Sequence, residues 1–150
     1  PYYRTPARFA ATRGLAPQDV MPLSLKDRMV GVVGGTAHEA YLKRFFPGTK
    51  LTAYPNLAAL LAALRANETS IVFADGLSLA IWLNGADAGQ CCEFRGGPYT
   101  ESAYFGEGAG IAVNRKNPAL RQVLNYALVR IAERGVYADL YLKYFPVGFY

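Results

Sequence analysis

Short apolar runs rich in β-branched residues alternate along this chain with segments of helical period. Val30-Gly31-Val32-Val33 reads as a strand covered on both faces, followed by the turn Gly34-Gly35 and by Thr36, a hydroxyl suited to cap a helix. That helix is predicted over 37–46 and stops at Pro47-Gly48. A strand over 50–54 leads through Pro55-Asn56 into a helix over 57–66, with Leu57, Leu60, Leu61 and Leu64 on one face. A strand over 70–74 and a helix over 77–84, closed by Gly85, repeat the unit. A further strand is expected over 90–94, before a glycine-rich loop over 96–110. This βαβα alternation with short connections predicts an α/β fold with a doubly wound, mostly parallel sheet.

The last part of the chain has another character. Leu120, Val123, Leu124, Ala127, Leu128 and Ile131 recur at helical spacing, and Tyr137, Leu140, Tyr141, Tyr144 and Phe145 continue on a second short helix. Such a stripe needs a partner, either a second copy of the chain or the chain's own sheet domain. The 150 residues carry a net charge of +5, but basic and acidic residues are interspersed and no aromatic RNA-binding motif accompanies them, so no nucleic-acid partner is expected. No apolar run approaches the ~20 residues of a membrane span. Cys91 and Cys92 are adjacent and are expected to be two buried thiols in a strand, because bridging neighbours strains the peptide unit between them. With a single histidine in the chain, they make no metal site, and no cofactor motif is present.

Two features carry candidate chemistry. Unpaired amides at the helix start after Gly34-Gly35-Thr36 attract a small anion, and the absence of G-x-G-x-x-G argues against a nucleotide. Asp75 ends the strand 70–74, and parallel α/β sheets bind ligands outside the carboxyl ends of their strands. The Thr36 hydroxyl with this amide array accepts an anion and the carboxylate a cation, which suits a zwitterion such as a free amino acid. Asp75 serves equally well as a helix cap. His38, Asp75 and Glu107 stand in no recognisable reaction motif, so no catalytic set is expected.

The ordered set Val30 to Tyr41, Phe73-Ala74-Asp75, Gly96-Gly97-Pro98-Tyr99, Gly106 to Val113, Gly135-Val136-Tyr137 and Lys143-Tyr144-Phe145-Pro146 resembles the extracellular solute-binding proteins of family 3. These are type II periplasmic amino-acid receptors of ABC importers. The resemblance implies the periplasmic-binding-protein type II lobe as fold class, with C-terminal helices that pack on a first lobe absent from this chain. It implies the end of the first lobe and a hinge crossing over 1–24, with the crossing strand at Arg8 to Thr12. The second lobe then spans 25–109, and 110–150 holds the return crossing, at Gly110 to Asn114, and the C-terminal helices. It implies a site made by Gly35, Thr36, Ala37, His38 and Asp75, in which Ala37 replaces a common second threonine and His38 is either a ligand neighbour or, slightly favoured, a solvated first-turn residue. The implied partners are a small-molecule amino acid and the membrane permease of an ABC transporter, in the periplasm, with a possible homodimer through the C-terminal apolar helices. The same fold also serves cyclohexadienyl and arogenate dehydratases, sensing domains of membrane histidine kinases, and lytic transglycosylases.

Overall fold

The computed structural model describes residues 1–17 and 19–144, which form two compact units: residues 5–106, and residues 1–4 together with 107–144. Phe145 and Pro146 of the apolar C-terminal motif lie outside the described residues.

The larger unit is built on one sheet. Its strands are β1 (Ala7–Thr12), β2 (Met29–Val33), β3 (Lys50–Tyr54), β4 (Ile71–Asp75) and β5 (Cys92–Tyr99), in the order β3-β2-β4-β1-β5. Strand β2 pairs in parallel with β3 and with β4, whereas β1 lies antiparallel between β4 and β5. Four strands therefore run one way and a single reversed strand sits among them. The segment expected as a crossing occupies an interior position, because Ala7, Phe9 and Ala11 on one face and Ala10 on the other are apolar and become covered. Phe9, Ala10 and Ala11 are fully buried there.

The period-two alternation sorts the core into two layers. Phe9, Val30, Val32, Ile71 and Phe73 point to one face, where Tyr41 and Leu42 of helix α1 (Ala37–Phe45) cover them. Phe9 is the hub of this layer, with ring centroids 4.5 Å from Phe73, 5.3 Å from Phe46 and 5.5 Å from Tyr99. Ala10, Val72 and Ala74 point to the other face, against Leu60 and Leu64 of α2 (Leu57–Arg65) and Leu79 of α3 (Gly76–Asn84). The Leu57/60/61/64 stripe thus buries Leu60, Leu61 and Leu64 as the helical period requires.

Two local expectations differ from what forms. The glycine-rich stretch is not a plain loop: β5 runs on to Tyr99, and a short helix α4 (Ser102–Phe105) follows, placing Tyr104 and Phe105 against the aromatic core. Cys91 and Cys92 are joined in a disulfide rather than standing as two thiols in a strand. Cys91 precedes the ladder, after a turn in which Gly89 and Gln90 both have positive φ. Outside a regular strand, neighbouring side chains need not point to opposite faces, and both cysteines join the same core layer.

In the smaller unit, Tyr3 and Ala109 form an antiparallel bridge, and the Arg4 guanidinium donates to the Glu107 carbonyl and carboxylate at 2.8 and 2.9 Å. Residues 110–114, expected as a return strand, carry no strand pairing. Asn117 caps α5 (Pro118–Glu133), with Pro118 at the start where its missing amide hydrogen is no loss, and α6 (Val136–Tyr144) follows. Neither helix buries a residue. Tyr2, Leu128, Ile131, Tyr137 and Leu140 line an open apolar groove within this unit. No helix among the described residues is long and apolar enough to cross a membrane.

The junction of β4 with α3 depends on a close approach. The Gly76 amide donates to the Pro6 carbonyl at 2.7 Å, and a Cβ at Gly76 would lie 2.7 Å from that same oxygen. Gly76→Ala is expected to destabilise the lobe by about 1–3 kcal/mol, the usual range for forced overpacking, read as a lower urea midpoint at unchanged slope.

Candidate ligand site

Strands β2 and β4 are parallel neighbours in the register Gly31–Val72 and Val32–Phe73, so they leave the sheet side by side. Each passes directly into a capped helix. Thr36 is the N-cap of α1 and Asp75 the N-cap of α3, which brings two helix starts to the same carboxyl edge of the sheet. The arrangement follows from two short βα units in adjacent strands, each with its polar cap at the strand end.

At the first turn, Gly35 adopts φ +72°, a left-handed conformation that favours glycine. Thr36 Oγ1 donates to the Val33 carbonyl at 2.7 Å and accepts the Glu39 amide at 3.4 Å. The hydroxyl proton expected to meet an anion is thus spent inside the turn. The Gly35 amide is also engaged, donating to Glu39 Oε2 at 2.7 Å. What the turn presents outward are the amides of Thr36, Ala37 and His38, which have no hydrogen-bond partner among the described residues. Glu39 escaped the sequence reading although its signal was there: Thr36-x-x-Glu39 has the spacing of a capping box.

Asp75 caps α3 at this edge of the sheet. Its Oδ2 accepts the Ser78 amide and hydroxyl, each at 2.8 Å, which fixes the carboxylate against α3. Its Oδ1 makes no hydrogen bond among the described residues.

His38 is not the solvated first-turn residue favoured from sequence. Its ring packs 5.2 Å from Phe105 and 5.7 Å from Phe73. Phe73 and Asp75 share a face of β4, so this packing draws the imidazole towards the carboxylate. Burial holds the His38 pKa below its ordinary value, and the Asp75 charge opposes that shift. Beneath it, the Tyr41 ring stacks on Phe73 at 5.6 Å, and burial, followed by the hydrogen bond to Glu101, pushes its phenol upward. The apolar floor explains why His38 turns inward: an aromatic ring flanked by Phe73 and Phe105 loses little by leaving water. Ala37 contributes only its amide and a methyl. No group of three or more acidic, histidine or cysteine side chains among the described residues could hold a metal.

No protein-family model matches the chain. Over 99% of its length it is 31% identical to the L-arginine-binding protein of Pseudomonas aeruginosa, and it covers 58% of that protein. It is 27% identical to the lysine/arginine/ornithine-binding periplasmic protein of Escherichia coli, covering 99% of this chain and 57% of the relative. Among solved structures, a Salmonella typhimurium periplasmic binding protein of high arginine specificity matches at 29% identity with a TM-score of 0.63, over 97% of this chain and 62% of that one. An ancestral cationic amino-acid solute-binding protein, at 22% identity and TM-score 0.78, covers 97% of this chain and 60% of its own length and shares the fold. These homologues are named as binding proteins, several of them as periplasmic, and none of those reported is an enzyme. The chain is similar over most or nearly all of its length to arginine-, lysine- and histidine-binding proteins, shares the type II fold of periplasmic binding proteins, and spans rather more than half the length of these relatives.

Proposed function

We propose that this chain is the second-lobe and C-terminal portion of a periplasmic receptor that captures a cationic amino acid and delivers it to the permease of an ABC importer. One observation carries the reading. Two capped helix starts, one presenting amides and the other a carboxylate, stand at the ends of adjacent parallel strands. The amides of Thr36, Ala37 and His38 take the ligand carboxylate, with Gly35 shaping the turn, and Asp75 takes the ammonium. The names of the relatives support a cationic side chain. The role is binding rather than catalysis, since the relatives are named as binding proteins and His38, the one imidazole at the site, is packed between Phe73 and Phe105. Within the receptor, residues 1–24 carry the end of the first lobe and a hinge crossing, 25–109 the second lobe, and 110–150 the return crossing and terminal helices.

Asp75→Asn tests the carboxylate while keeping an acceptor for Ser78. In the full-length receptor, affinity for L-arginine by calorimetry is expected to fall about 10- to 150-fold, the weight of one charge-assisted hydrogen bond, with an unchanged unfolding midpoint. Wild-type affinity in that variant would remove Asp75 from the site.

His38 adds a pH dependence of known sign. Its depressed pKa keeps it neutral at neutral pH; once the pH falls through that value, below 6.5, a cation stands beside Asp75 and opposes the ligand ammonium. Affinity should decline in that acid window in the wild type and decline less in His38→Gln. Parallel pH profiles for the two proteins would exclude the effect.

The open face of α5 and α6 would be covered by the first lobe in the receptor, and by a second copy when this chain stands alone. Sedimentation equilibrium of the 150-residue chain is expected to show a dimer at high concentration; a strict monomer would contradict it.

A further inference from the structure

The amide turn also holds a side-chain contact that the chain makes with itself. Glu39 Oε2 accepts the Gly35 amide at 2.7 Å, while Glu39 Oε1 lies 2.6 Å from Lys43 Nζ, one helical turn further on. The turn already holds a carboxylate, a few ångströms from the amides that would receive the ligand's own. Two carboxylates so close repel, and the Glu39 carboxylate lies at an exposed turn where salt screens that repulsion. The hydrogen bonds to Lys43 and then Gly35 keep Glu39 ionised by lowering its pKa, and neutralisation must therefore come from a cation rather than a proton.

We propose that Glu39 and Lys43 form a charge-neutral clamp on the binding turn, in which Glu39 fixes Gly35 in its left-handed conformation and Lys43 cancels the charge that would otherwise turn away a ligand carboxylate. Both are positioning residues, since they act through the Gly35–Thr36 turn and touch no ligand. An ion pair at the helix surface contributes little to stability, so the role of Lys43 lies in the field it sets at the turn. The inference rests on the carboxylate-binding role given to this turn under the proposed function.

The test is a double-mutant cycle on the full-length receptor with L-arginine as probe, by calorimetry at about 10 mM and about 1 M salt, where the screening length is about 30 Å and about 3 Å. Lys43→Met leaves a helix former in place and exposes the Glu39 charge. Its affinity relative to wild type is expected to fall about three- to tenfold at low salt and to return to wild type at high salt. Lys43→Arg should bind as wild type. Glu39→Gln/Lys43→Met should recover at low salt, because a neutral amide oxygen still accepts the Gly35 hydrogen. Wild-type affinity in Lys43→Met at low salt overturns the clamp. So does a loss that persists at high salt or survives in the double variant, since loosening of the helix would produce that result. Failure of wild type to bind any of L-arginine, L-lysine and L-histidine overturns the proposed function itself and the clamp with it, an outcome distinct from normal binding with an indifferent Lys43.

Discussion

Everything in the larger unit depends on one strand being held backwards. Strand β1 enters between β4 and β5 and runs against both, filling an interior position of the sheet with Phe9, Ala10 and Ala11. Its pairing of Ala7 with Asp75 reaches the residue on which the site turns, and the preceding Pro6 carbonyl takes the Gly76 amide at 2.7 Å. The position of the Asp75 carboxylate is thereby set from three sides: by its own strand, by the neighbouring reversed strand, and by Ser78 on the helix it caps. A side chain fixed in this way gives up little conformational entropy when a ligand arrives, which is the physical advantage of a preorganised site.

The two polar ends of the site differ in how much of their hydrogen-bonding capacity remains open. Asp75 gives one oxygen to Ser78 and keeps the other. At the turn, both the Thr36 hydroxyl and the Gly35 amide are engaged within the chain, leaving three successive amides. Under the proposed function, recognition of an anion here falls to the backbone, which makes Ala37 in place of a second threonine less consequential than its side chain suggests. Between the two ends, His38 lies on an aromatic floor formed by Phe73, Phe105 and Tyr41.

The elements with a strong local period were readable in the sequence: the strands at 30–33, 50–54 and 70–74, and the helices that follow them, end within a residue or two of expectation. Thr36 and Asp75 were readable as well, because a capping residue at a strand end is a local pattern. What escaped were features settled at a distance. Arg8 to Thr12 gave a strand but no hint of its interior seat, since its partners come from β4 and β5 much later in the chain. Tyr104 and Phe105 could not be assigned to the aromatic core without knowing that β5 extends to Tyr99. The inward turn of His38 depends on Phe105 of that same late helix. The Cys91–Cys92 bond forms because the chain bends just ahead of the ladder, at Gly89 and Gln90, and a composition-level argument about adjacent cysteines does not contain that bend.

The long-range pairing of β1 also sets a schedule. Thr12 waits for Cys92, and Ala7 for Tyr99, before the sheet can close around the first strand. The nearby βα units have partners within a few dozen residues and can form early, but β1 lacks its second neighbour until β5 has been delivered. Folding of this lobe is accordingly paced by loop closure between distant segments, a slow route compared with local helix formation. Until that moment the edge of β1 that faces β5 keeps its backbone groups unpaired, although Phe9 already has Phe46 and Phe73 to pack against.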